Sequence, residues 1–208
     1  MFHVRDIHPR QNLSYALDYT FGSWNTHRIT ADATGSLSTN KKFLYRTIVG
    51  YQSNESFRDF ISAKTLFIAP SITYRPTDKT SVNLKYNFLN RTETGGGYYE
   101  RGIMTPDPNN LFTLPISWSG HEPTDKSKEK NHSIQLNITH WFNKHISITS
   151  MNRYLNNSAE QHYHHLNWGS IFNADGVNDS ITRQDREYPW TTKSFMSNTY
   201  ASFKFNTG

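Results

Sequence analysis

Cysteine is absent from the 208 residues, so no disulfide framework holds the fold, as suits an oxidising exterior but does not prove one. No apolar run approaches the roughly 20 residues of a transmembrane helix, which excludes a helical membrane protein. Hydrophobic residues are only 35% of the chain, a scarcity that does not argue against strands wet on one face. Catalytic signatures are missing too. There is no nucleophile elbow, no metalloprotease helix and no phosphate-binding glycine loop, so an enzyme is not expected. The net charge of +5 invites a nucleic-acid reading, but lysine and arginine are dispersed near turns rather than gathered in a run. No nucleic-acid partner is expected.

What is present is alternation. In Ala63–Asn90 the second arm sets Val82, Leu84, Tyr86 and Phe88 on one parity and Asn83, Lys85 and Asn87 on the other. Side chains alternate faces along a strand, so this arm has one apolar and one wet face. The first arm sets Leu66, Ile68, Ile72 and Tyr74 against Thr65, Ser71 and Thr73, and Arg75–Lys79 between the arms is a polar turn with Pro76 presetting φ. Each arm is about ten residues long, the length that crosses a bilayer at a tilt.

The same pattern recurs over Ser14–Phe21, Arg28–Leu37, Phe43–Tyr51, Ser133–Trp141, Ile146–Leu155 and Ser194–Phe205. Short connections fall at Ser38–Lys41, Pro76–Lys79 and Phe142–Lys144. They alternate with longer ones at Gln52–Ile61, Arg91–Lys130 and Asn156–Thr192. Membrane barrels sort their connections in this way, with brief periplasmic turns and extended outer loops. The expected fold is all-β, an antiparallel transmembrane β-barrel segment of about eight strands. Two alternatives stand beside it. One is a complete small eight-stranded outer-membrane barrel with a structural or adhesive role. The other is a soluble β-rich carbohydrate-binding module, which would bury the Val82/Leu84/Tyr86/Phe88 face against a second sheet.

Several segments resemble TonB-dependent siderophore receptors: Phe21–Trp24, Thr34–Leu37, Gly50–Phe60 and Phe67–Thr80, with Glu93–Tyr99 similar to a loop of the ferrichrome (hydroxamate) subgroup. The resemblance implies the N-terminal part of a barrel of about 22 strands, roughly fourteen of them outside this chain. Residues 1–12 are then a leader into the barrel with the plug domain absent, and residues 13–208 a partial barrel. An exported protein needs an apolar leader, which Phe2–Asp6 does not supply, so Met1 is expected to follow a plug encoded upstream. The implied setting is the outer membrane of a Gram-negative bacterium, in contact with its lipid. The implied ligand is an iron(III)–siderophore complex, with no resident cofactor, and the implied partner is TonB, acting through the plug.

On that resemblance Tyr98 and Tyr99 are candidate ligand contacts, since aromatic rings give rigid contact area and tyrosine adds a hydrogen-bonding handle. Packing within the loop or an interfacial belt is the plainer role for both. Trp118 is a further candidate on its loop position, and Arg101 one for an anionic ligand, against a solvated loop charge. His162-Tyr163-His164-His165 is the most metal-like cluster, but adjacent strand positions point to opposite faces and no Cys or acidic partner stands at ligand spacing, so no metal site is expected.

Overall fold

The computed structural model describes residues 8–95, 117–166 and 183–205. They form one antiparallel sheet of eight strands: β1 (Ser14–Gly22), β2 (Thr26–Ser36), β3 (Phe43–Glu55), β4 (Ser62–Thr77), β5 (Thr80–Thr94), β6 (Lys126–Trp141), β7 (Ile146–Leu166) and β8 (Arg183–Phe203). Each strand pairs with its sequence neighbours, in the order β1 to β8. Among the described residues β1 and β8 each have a single partner, so the sheet is open. A closed eight-stranded barrel needs a β1–β8 ladder, and none is present among the described residues.

Register assigns the faces, because directly opposed residues share one side of an antiparallel ladder. One row reads Leu17–Ala31–Val49–Ile68–Phe88, and another Phe43–Tyr74–Val82–Ile138. The opposite face carries Arg46–Ser71–Lys85–Gln135–Arg153 and Thr73–Asn83–Asn137. Exposure separates the two: Ile72 and Leu84 are 47% and 48% exposed, whereas Ser71 and Asn83 are 4% and 5%. The apolar parity faces outward and the polar parity lines the concave side. A soluble sheet would do the reverse, since each large aliphatic side chain left in water forgoes about 1.5–3 kcal/mol. Among the described residues no second sheet covers the Val82/Leu84/Tyr86/Phe88 face, the burial that the carbohydrate-binding alternative requires. The concave side has one dry patch, where Phe67 and Ala69 pack with Ile48 and Leu89.

The outward apolar stretches run from Phe43 to Tyr51 in β3 and Leu66 to Tyr74 in β4, from Val82 to Phe88 in β5 and from Ile134 to Ile138 in β6. Those of β3 and β4 have about the length that crosses a bilayer at a tilt. One edge of this band is marked by short connections at 37–42, 78–79 and 142–145. There Asn143 Oδ1 accepts from the amides of His145 and Ile146 (2.8 and 3.0 Å). The Lys42 carbonyl accepts from the Arg75 amide and the Lys79 carbonyl from the Trp141 amide, tying successive turns together.

The other edge departs from the sequence expectation: the strands run on. β6 begins at Lys126 rather than Ser133, β7 continues to Leu166 rather than Leu155, and β8 begins at Arg183 rather than Ser194. These extensions are polar on both faces, for example Lys128 opposite Glu160, so they lack the alternation that marks a half-buried strand. Their backbone ladder holds them. The β1–β2 connection on this edge is the tight turn that Gly22-Ser23-Trp24-Asn25 leads one to expect, with Trp24 and Asn25 in the left-handed region (φ 52° and 51°).

Candidate functional site

Beyond the apolar band the extended strands form a wall whose concave side carries the groups able to hold a ligand. Tyr163 is buried on that side and stacks against Tyr188 of β8 (centroids 6.1 Å, 23° between planes). Trp190 lies two residues further along the same parity, opposite Ala159. It borders a cleft of about 140 Å³ that Arg91, Glu93, Glu129 and Gln161 also line. Arg91 and Glu93 form an ion pair. Deeper in the concavity is a space of about 500 Å³ bordered by Gln52, Asn54, Thr65, Asn87, Asn131, Ser133 and Arg153. Arg153 donates from Nε to Ser133 Oγ (2.8 Å). The wall therefore offers aromatic planes beside amide, hydroxyl and guanidinium groups, suited to a compact polar ligand with flat faces.

A strap, residues 117–125, crosses the mouth of this wall. It begins against the β3–β4 connection, where the Asp59 amide donates to the Ser117 carbonyl (2.6 Å). It passes Gly95 at the end of β5, whose φ of +69° and crowding by Ile61 and His121 leave no room for a side chain. It ends on β7 and β8. There Asp125, 1% exposed, accepts from His121 Nδ1 (3.1 Å), His164 Nδ1 (2.6 Å) and the amides of Glu122 (3.0 Å) and His164 (3.2 Å). Arg183 of β8 donates to the Gly120 carbonyl (3.1 Å) and pairs with Glu122. Burial pushes the Asp125 carboxyl up, but the hydrogen bonds from His164, the backbone amides and His121 outweigh it and hold the group below its ordinary value. His162 has both ring nitrogens on acceptors, Nδ1 at the Thr124 carbonyl (3.3 Å) and Nε2 at Asp185 (2.7 Å). The Thr124 carbonyl first, then Asp185 against a small burial cost, raises its pKa.

Trp118 is half-buried on this strap, between Ser117 and Ser119, whose Oγ accepts from the His121 amide (3.2 Å). Tyr98, Tyr99 and Arg101 lie outside the described residues. In the histidine cluster, His162 and His164 fall on one parity, with rings 6.0 Å apart, and Tyr163 on the other, as strand geometry requires. Both histidines meet carboxylates, Asp185 and Asp125, that stand far off in sequence and were invisible at ligand spacing. Among the described residues no three His, Cys, Asp or Glu groups gather in a metal-holding arrangement. Tyr163, Tyr188 and Trp190 were missed because they fall in a stretch with no apolar alternation; the recoverable signal was aromatic residues two apart.

An outward apolar band, a wet concave side and strands extended past the band on one edge are the features of a transmembrane β-barrel wall, and in fold the sheet matches the barrel portion of TonB-dependent receptors. The structure matches the ferripyoverdine receptor of the Pseudomonas aeruginosa outer membrane with a TM-score of 0.84 at 16% identity, over 94% of this chain and 25% of that one. It also matches the ferric-catecholate import receptor Fiu of E. coli, with a TM-score of 0.79 at 15% identity over 96% and 32% of the two chains. In sequence, the chain is 26% identical over 183 residues to the metal-pseudopaline receptor CntO of Pseudomonas aeruginosa PAO1. That alignment covers 88% of this chain and 25% of CntO, so the chain spans about a quarter of the relative's length. No family profile matches the chain.

Proposed function

We propose that this chain is a section of the wall of an outer-membrane, TonB-dependent receptor of a Gram-negative bacterium that captures a metal ion held in a small organic chelator. The alignment with the metal-pseudopaline receptor across most of the chain carries the reading. The arrangement of the concave side supports it: Tyr188 and Trp190 offer stacking planes, Arg91 lines the cleft with Trp190, and Arg153 stands deeper in the concavity, both for chelator carboxylates. The role is binding and passage, with no catalysed step. The narrower reading, from the sequence resemblance, is a ferric siderophore of the hydroxamate kind, with Tyr98, Tyr99, Arg101 and Trp118 as further contacts. Energised release by TonB belongs to the whole receptor, of which this chain supplies the capture wall.

The test is metal accumulation by cells with and without the intact gene, fed a panel of preformed chelates. The panel includes a hydroxamate, a catecholate and an aminocarboxylate complex, each quantified by mass spectrometry of the metal. Gene-dependent accumulation of one class, reduced by Tyr188→Ala with Trp190→Ala, is the expected result. Equal accumulation with and without the gene across the panel would overturn the proposal.

A further inference from the structure

The strap does not merely close a loop. It touches four separate parts of the wall: the β3–β4 connection through Asp59, the end of β5 through Gly95, β7 through His164 and β8 through Arg183. Most of these contacts are backbone hydrogen bonds or half-exposed ion pairs, each individually weak. Asp125 is different. It is the one carboxylate in the described strap that is fully out of water, and it gathers four donors from two elements, the strap itself and β7. Charge-assisted hydrogen bonds of this kind are roughly twice as strong as neutral ones, and removing the acceptor leaves buried donors without a partner.

We infer that Asp125 is a latch: its side chain fastens the strap onto the β7–β8 hairpin, so that the rim of the wall from Asp59 to Arg183 behaves as one rigid hoop. Neutral imidazole carrying its proton on Nδ1 and imidazolium both donate from that atom, so the latch holds whether or not His121 and His164 are charged. The flanking Glu122–Arg183 pair and the contact of His162 Nδ1 with the Thr124 carbonyl are outer fastenings, and neither substitutes for the buried carboxylate. Asp125 acts on any ligand only by placing the strap, and with it Trp118. It is a positioning residue. The inference rests on the geometry of the rim and stands whatever the identity of the ligand.

The test is limited trypsin digestion, in detergent micelles, of the intact receptor in which this section of wall is paired at both edges. Lys126 and Lys128 sit directly after the strap, at the start of β6. Their cleavage requires the strap to lift and the first rungs of the β6–β7 ladder to open. Lys144, in a short turn at the opposite edge, is the internal reference. In Asp125→Asn, cleavage at Lys126 and Lys128 relative to Lys144 is expected to rise by about tenfold or more. Glu122→Gln, which breaks an exposed pair only, is expected to leave the ratio within about twofold. Where Asp125→Asn fails to reach the compact, heat-modifiable form on gels, His164→Ala carries the same test, since it removes one imidazole donor from a partly exposed position. A general loss of stability would speed cleavage at Lys144 as well, and an unchanged ratio in the folded variant would overturn the inference.

Discussion

Replacing Leu84 by arginine puts the facing of the sheet to a quantitative test. Leu84 stands near the middle of the outward stretch of β5, opposite Ile72 in β4 and Leu136 in β6, and is 48% exposed. In lipid, an arginine on the outer face of a barrel strand near the bilayer midplane costs about 2–4 kcal/mol. That is a loss of roughly 30- to 1000-fold in the folding equilibrium. The matched control is Asn87→Arg, three positions on and on the opposite parity, where the side chain borders the polar space of about 500 Å³. There the guanidinium stays among amides and hydroxyls, and the expected change is within about 0.5 kcal/mol. Urea unfolding in lipid vesicles, followed by tryptophan fluorescence and by heat-modifiable gel mobility, measures both. If Asn87→Arg costs as much as Leu84→Arg, the faces have been assigned the wrong way round.

Three further outcomes follow from particular contacts. Gly95→Ala places a methyl group 2.9 Å from Ile61 Cγ1 at a φ of +69°, and is expected to cost about 1–3 kcal/mol, read by the same unfolding assay and by faster trypsin cleavage at Lys126. Asp32→Asn breaks a two-pronged pair with Arg46 on the concave side, Nε to Oδ1 at 3.0 Å and Nη2 to Oδ2 at 2.6 Å, and is expected to cost about 1–3 kcal/mol. The rim also titrates. Because the folded pKa of His162 is raised, its contribution is complete below the unfolded value and is lost as pH rises through the folded one. Because that of Asp125 is lowered, its contribution is present above the unfolded value and is lost as pH falls through the folded one. Trypsin cleavage at Lys126 against pH is therefore expected to be slowest on the acid side of neutrality, and His162→Gln should remove only the alkaline limb.

The membrane band was legible in the sequence because its physics is one-dimensional. Where one side of a strand meets oil and the other water, residue type must alternate, and Val82 to Phe88 does so without a break. The wall above the band was not legible for the same reason. Lys126 to Asn131 and Arg183 to Lys193 have water or polar groups on both sides, so nothing in their residue types distinguishes strand from loop, and only the ladder to β7 reveals them. The rim was hidden by distance along the chain. Asp125 and His164 lie 39 residues apart, and neither the carboxylate's burial nor its partners can be inferred from local spacing. Trp24 and Phe60 are bulky residues in the left-handed region, a conformation their side chains argue against and that the neighbouring connections impose.

The polar reach of β8 has a bearing on what the molecule meets first. From Ser194 back to Arg183 the strand advances roughly 35 Å at about 3.3 Å per residue, or about 25 Å of height once a barrel tilt near 40° is allowed for. That is comparable to the oily layer itself. In the receptor proposed above, a ligand arriving at that edge meets hydroxyls, carboxylates and stacked rings well before the lipid headgroups, and selection starts at the top of the fence.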